Sequence, residues 1–185
     1  MMWKNHLRKL EAQKSWDQAI AFMEQTVKDN PDDVNAYIYI IFLLMNILVE
    51  EVFDISKHDY YAFLVKKYFD LSYDKFSNNT AYLFCVGITV SMAEWYVGFD
   101  VEDYQKMLHK ALQLEPNNLM YQSNYYLNLD RSIPENKKAV IEYANLIHDN
   151  DPRLMSAFLD KGAFGEYWWG CMQGWSQRML EDSSS

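Results

Sequence analysis

The sequence predicts an all-α chain, built of antiparallel helical hairpins stacked on one another. Three observations carry this reading. Bulky side chains are abundant and turn-formers scarce: 14 Tyr, 10 Phe and 6 Trp stand against 6 Gly and 4 Pro, a balance that favours long helices over many short strands. Apolar residues recur at three- and four-residue intervals along most of the 185 residues, which gathers them on one face of a helix. Finally, Asn30-Pro31, Glu115-Pro116 and Asp151-Pro152 each close an amphipathic segment before a new one begins, so the chain is punctuated at recurring places.

Taken in order, the periodicity gives roughly nine helices. The first, about 2–13, carries Lys4, His6, Arg8, Lys9 and Glu11 with no continuous apolar core, so it does not read as a secretory signal. The second, about 15–29, opens on Ser15 with Gln18 three residues on, the pattern of a capping box. The third, about 33–50, contains the most apolar stretch, Tyr37 to Val49, interrupted by Asn46 and closed by Glu50 and Glu51. Its 13 residues fall short of the ~20 a bilayer core requires, so it reads as a helix surrounded by other helices. Segments at about 58–73 and 79–96 follow. Asp100 is placed to cap a sixth helix at about 101–114, and a seventh runs over about 118–130. Ser132 with Glu135 forms another capping-box pattern, and Pro134 suits the first turn of the eighth helix, about 134–149. Asp151 before Pro152 marks the start of the last, about 154–180, with a break expected near Gly162. One domain is expected over 1–180, with a short flexible tail at 181–185.

The prolines at 31, 116 and 152 are separated by 85 and 36 residues. A spacing near ~34 is that of a helix-turn-helix repeat, and the longer interval holds two repeats with extra length. The punctuation missing from the middle falls near Ser77-Asn78-Asn79. Trp16-Asp17-Gln18-Ala19-Ile20, followed by Met23, Thr26, Asn30 and Pro31, resembles the second helix of a tetratricopeptide repeat, and Tyr37, Ile40, Ile41 and Leu44 resemble the first helix of the next. Val101, Leu108, Ala111, Glu115 and Pro116 form a second match, with Tyr104 where that motif usually holds a small residue, and Val140, Ala144, Ile147 and Pro152 form a third. The resemblance implies degenerate repeats stacked as a TPR-like right-handed superhelix, whose concave side binds peptides or proteins.

Composition excludes several classes of function. The net charge of −9, from 26 acids and 17 bases, repels phosphate backbones, so direct nucleic-acid binding is not expected, whereas encounter with a basic protein is favoured. Cys85 and Cys171 are far apart, without a CxxC, and read as buried thiols. His6, His58, His109 and His148 share no helical turn, and no GxGxxG, GxxxxGK[ST] or GxSxG occurs. Neither cofactor, metal nor catalysis is therefore expected. His148-Asp149-Asn150-Asp151 reads as one helix end followed by a cap. The adjacent carboxylates Asp32-Asp33, Glu50-Glu51 and Glu102-Asp103 point about 100° apart on a helix and do not make an acid/base couple. They fit a solvated face or a basic partner.

The passage from Lys161 to Trp175 is the most unusual. At ~100° per residue Phe164, Trp168, Cys171, Met172, Trp175 and Met179 form one stripe, read as core, while Trp169 falls beside Glu166 and Gln173 on the polar side. An indole there is either covered by a neighbouring helix or an anchor for a partner. Gly162, Gly165, Gly170 and Gly174 weaken a free-standing helix and point to close approach of another backbone. The run Gly162-Ala163-Phe164-Gly165-Glu166-Tyr167-Trp168, near the end of an acidic helical chain, resembles bacterial immunity proteins, notably those of contact-dependent growth inhibition systems. That resemblance implies a protein that covers a cognate toxin domain, often a basic nuclease; a cytoplasmic location is expected from the lack of a secretory signal pattern. The expected partner-binding residues are Glu50, Glu51, Asp54, Asp100, Glu102, Asp103, Glu166 and Trp169. The alternative is a TPR-type adaptor or secretion chaperone that holds an extended segment of its partner.

Overall fold

In the computed structural model, which describes residues 2–183, the chain forms ten α-helices and two short 3-10 turns, with no strand among the described residues. The helices are α1 Met2–Ala12, α2 Trp16–Asp29, α3 Val34–Glu50, α4 His58–Ser72, α5 Thr80–Val90, α6 Val101–Leu114, α7 Leu119–Leu127, α8 Pro134–His148, α9 Pro152–Leu159 and α10 Ala163–Ser183. The 3-10 turns are Ile55–Lys57, which runs directly into α4, and Glu94–Val97. The count exceeds the expected nine because the last segment breaks at the place anticipated: Gly162 adopts φ +64°, a left-handed conformation that glycine enters without steric cost. The fifth helix is also shorter than expected, since Ser91 to Ala93 turn away before the second 3-10 turn.

Two compact units divide the chain at Ala111 and Leu112, in the last turn of α6. In the first, α1 packs on α2, α2 on α3, and α3 on both α4 and α5. Helix α3 is buried on all sides, with Ile40, Ile41, Leu44, Met45 and Ile47 fully covered, as its unbroken apolar run requires. Helix α5 is nearly as apolar. Its Gly87 lies against Leu108 and Met107 of α6, where a Cβ would come within 3.1 Å of Leu108. In the second unit α7 packs on α8 and α9, and α10 lies along both α8 and α9.

Capping follows side-chain geometry more closely than sequence pattern. Asp100 accepts a hydrogen bond from the Asp103 amide, while the Asp103 carboxylate accepts from the amide of Asp100, so a reciprocal box starts α6. Asp151 accepts from the amides of Arg153 and Leu154. Asp33, Asn79 and Asn118 cap α3, α5 and α7 in the same way, and Asn79 lies at the punctuation expected from the repeat spacing. Neither expected serine box forms. Ser15 makes no side-chain cap, because Lys14 turns left-handed at φ +50° and the Ser15 amide is carried back to the Leu10 carbonyl, which ends α1 in a Schellman motif. Ser132 stands one residue too early, with Ile133 at the N-cap and Pro134 opening α8. The same Schellman closure, with Asn150 at φ +55° and the Asp151 amide on the Leu146 carbonyl, ends α8.

The C-terminal passage departs from its expected wheel. Trp169 is buried at 6% exposure, its ring 5.7 Å from that of Phe158, so it is not a surface anchor. Cys171, expected in the core, is exposed, whereas Cys85 is buried. The reason is that α10 meets α8 and α9 together, which widens and shifts its buried arc beyond one stripe. Gly165 meets the expectation of close approach, since a Cβ there would stand 1.7 Å from the Phe158 carbonyl oxygen. Gly170 has nothing within 4 Å and Gly174 only the Arg178 side chain. Helix α10 continues through Glu181 and Asp182 to Ser183, into the stretch expected to be tail, while Ser184 and Ser185 lie outside the described residues.

Candidate functional site

The expected partner-binding residues occupy three places. Glu50 ends α3, with Glu51 as its C-cap and Asp54 in the following loop. Asp100, Glu102 and Asp103 sit at the start of α6, and Glu166 and Trp169 lie on α10 of the second unit. Several already have structural employment. Asp54 accepts from the amide and hydroxyl of Ser56, and these bonds hold its carboxyl below the ordinary range. Asp103 is lowered by its bond from the Asp100 amide and by Lys106, and Glu51 pairs with Lys14 at 2.7 Å. Glu166 is exposed in the first turn of α10, where an acid suits the helix dipole.

A feature that sequence reading did not find joins α2 to α4. The Tyr61 hydroxyl donates to the Asp17 carboxylate at 2.8 Å, the Tyr68 hydroxyl donates to Glu24 at 2.8 Å, and the Lys75 ammonium donates to the Pro31 carbonyl. Acceptors at 17, 24 and 31 face donors at 61, 68 and 75, so each step is seven residues on both sides. A constant offset of this kind means that α2 and α4 run parallel with α3 packed on both, and seven residues return nearly to the same helical face. Lys57 pairs with Asp17, Lys67 with Glu24 at 3.5 Å, and Lys75 with Asp32. Tyr61 and Tyr68 are buried, and desolvation, then the carboxylate each one bonds, pushes both phenols well above their ordinary pKa. Asp17 is lowered by its bonds from Lys57 and Tyr61.

Two open clefts follow this seam. One, of about 310 Å³, is lined by residues that include Trp16, Asp17, Phe53, Asp54, Lys57 and Tyr61. The other, of about 530 Å³, lies between Glu24, Lys28 and Pro31 on one side and Lys67, Tyr68 and Leu71 on the other. The signal in the sequence was the heptad recurrence of Tyr61, Tyr68 and Lys75 against Asp17, Glu24 and Pro31, legible only once the offset between two helices is known. Asp54 is the expected site residue that lines a cleft here, and Lys14 links Glu51 to the same cleft.

Chemically the seam saturates its own groups: each carboxylate that enters it meets a phenol or an ammonium. Among the described residues no cluster of three or more His, Cys, Asp or Glu side chains is arranged to hold a metal ion, and no helix is long and apolar enough to cross a membrane. No protein-family model, curated protein or solved structure matches the chain.

Proposed function

We propose that this chain is a protein-binding module with no catalytic role, a TPR-like stack that neutralises a basic toxin domain in the manner of an immunity protein. One observation carries the binding role: large apolar side chains, among them Val52, Ile55, Phe63 and Trp95, stand exposed on the first unit, as they do on interaction surfaces. The stack is supported by α3 packing on α5 and by the parallel register of α2 and α4, as alternating hairpins require. The toxin-directed role rests on the resemblance of the 162–168 run and on the acidic charge. Where a neighbouring gene encodes a toxin domain, co-expression with this chain should restore growth, and unrelieved toxicity with both proteins folded rejects the role.

The second reading, an adaptor or secretion chaperone, is favoured by the two open clefts along the seam, which have room for side chains of an extended segment. An inhibitor recognises a folded domain, whereas a chaperone also holds its partner after denaturation. Binding of native and urea-denatured partner therefore separates the two.

A further inference from the structure

We propose that the outward face of α4, with the loop leading into it, docks a partner whose contact surface sets apolar side chains among lysines or arginines; the proposal rests on the protein-binding reading above and gives it a face. On α4, Tyr60, Phe63 and Leu71 are 52%, 62% and 55% exposed. Their spacing of three and eleven residues places them on one stripe about 80° wide. The segment that enters the helix adds Val52 at 93% and Ile55 at 76%. The 3-10 turn packed on α4 adds Trp95 at 65%, and a contact of 2.8 Å between the Tyr96 hydroxyl and His58 ties that turn to the helix. Single exposed apolar residues are ordinary, but six large ones on one helix, its entry and its neighbouring turn are the mark of an interaction surface.

The charges around this face select the occupant. Every lysine from 52 to 75 already has a carboxylate: Lys57 meets Asp17, Lys66 meets Asp70, Lys67 meets Glu24 and Lys75 meets Asp32. Asp54, Asp59 and Asp74 have no lysine or arginine within ion-pair distance among the described residues, although Asp59 meets the His58 ring at 3.1 Å and Asp54 accepts from Ser56. The face therefore offers incoming protein apolar rings and an excess of carboxylates over ammonium groups, since each of its lysines is already paired within the chain. A second copy would bring the same carboxylates opposite these, and like charges across an interface are costly. A basic surface with apolar side chains satisfies both features.

The test is an NMR titration of the full-length isotope-labelled chain with a synthetic 18-residue amphipathic helix carrying a Leu/Trp stripe bordered by lysines. A control peptide has each lysine replaced by glutamate. The lysine peptide should shift signals from 52 to 71 and at Trp95, and the glutamate peptide should bind at least tenfold more weakly. The Ile55→Ser/Phe63→Ser variant should weaken binding of the lysine peptide about tenfold with its thermal unfolding unchanged, because both side chains are exposed. Asp54→Asn/Asp59→Asn should weaken binding several-fold and flatten its salt dependence. Shifts centred on 100–106 or on α10 would overturn this face while leaving a protein-binding chain. Equal binding of the two peptides, or binding of neither, would overturn the charge argument. Concentration-dependent dimerisation abolished by Phe63→Ser would assign the face to a second copy instead. Growth protection in the co-expression assay is read separately, so loss of the toxin-directed role and loss of this face give different results.

Discussion

Alanine at position 165 would place its Cβ 1.7 Å from the carbonyl oxygen of Phe158 and 2.6 Å from its carbonyl carbon. Real Cβ atoms do not approach other heavy atoms within 3.0 Å, so α9 and α10 would have to part by more than an ångström. The atoms in the way are backbone, which cannot turn aside as a side chain can. Parting them loosens the contact between Phe158 and Trp169, both buried. Adding one methyl group to a packed interior costs about 1–3 kcal/mol, and a backbone obstacle puts Gly165→Ala at the upper end, about 3 kcal/mol. Position 170, on the same helix, has nothing within 4 Å of an added Cβ. There the same substitution removes only the conformational penalty of glycine, a gain of about 1 kcal/mol. Urea unfolding of the full chain, followed by helical circular dichroism, measures both. With a slope of about 1–3 kcal/mol/M, Gly165→Ala should lower the midpoint by about 1–3 M and Gly170→Ala should raise it. Equal effects of one sign, or a Gly165→Ala chain as stable as the parent, would refute the close approach of the two helices.

Caps give a second contrast: Asp151→Ala should cost about 1 kcal/mol in the same unfolding assay and Ser15→Ala almost nothing, because only the aspartate bonds the first amides of its helix. At alkaline pH, Tyr61, Tyr68, Tyr82 and Tyr143 should resist ionisation, since burial raises all four phenols. The stability they contribute is fully present below the unfolded phenol value of about 10 and is lost as pH rises toward the higher folded values. Ultraviolet titration should therefore show these four of the 14 tyrosines ionising only together with loss of helix. At acid pH the sign reverses. Asp17, Asp103 and Asp151 are lowered, so their contribution is full above the unfolded carboxyl value of about 4 and disappears as pH falls through the folded ones. The melting temperature should be level above pH ~5 and decline below pH ~4, less steeply in Asp17→Asn.

Local physics explains what the sequence disclosed. The all-round burial of α3 follows from an apolar run with no polar face, and the starts of α6 and α9 follow from aspartates at the required offset. The break at Gly162 follows from the one residue type that turns left-handed freely. What escaped depended on neighbours distant in the chain. Trp169 lies on the polar side of an isolated wheel, yet α9 covers it, and no wheel of α10 contains α9. Ser15 has the letters of a cap, but the Schellman closure around Lys14 takes its amide elsewhere. The site divided in the same manner. The charge of Asp54, a residue that lines a cleft, is visible in the sequence alone, whereas Asp17, Tyr61, Glu24 and Tyr68 act through partners 44 residues away.

The seam between α2 and α4 has a consequence for how damage accumulates. Seven helical residues advance about 10 Å, so the bonds at Tyr61 and Tyr68 share no atoms and lie at the separation where energetic coupling between substitutions fades, with Lys75 fastening the turn just beyond α4. Tyr61→Phe and Tyr68→Phe should each cost about 1 kcal/mol, and the double variant should cost their sum to within ~0.5 kcal/mol. Such a fastening loosens in instalments: one lost bond leaves the remaining two to keep the helices in step, and the chain tolerates mutational drift at any single point along it.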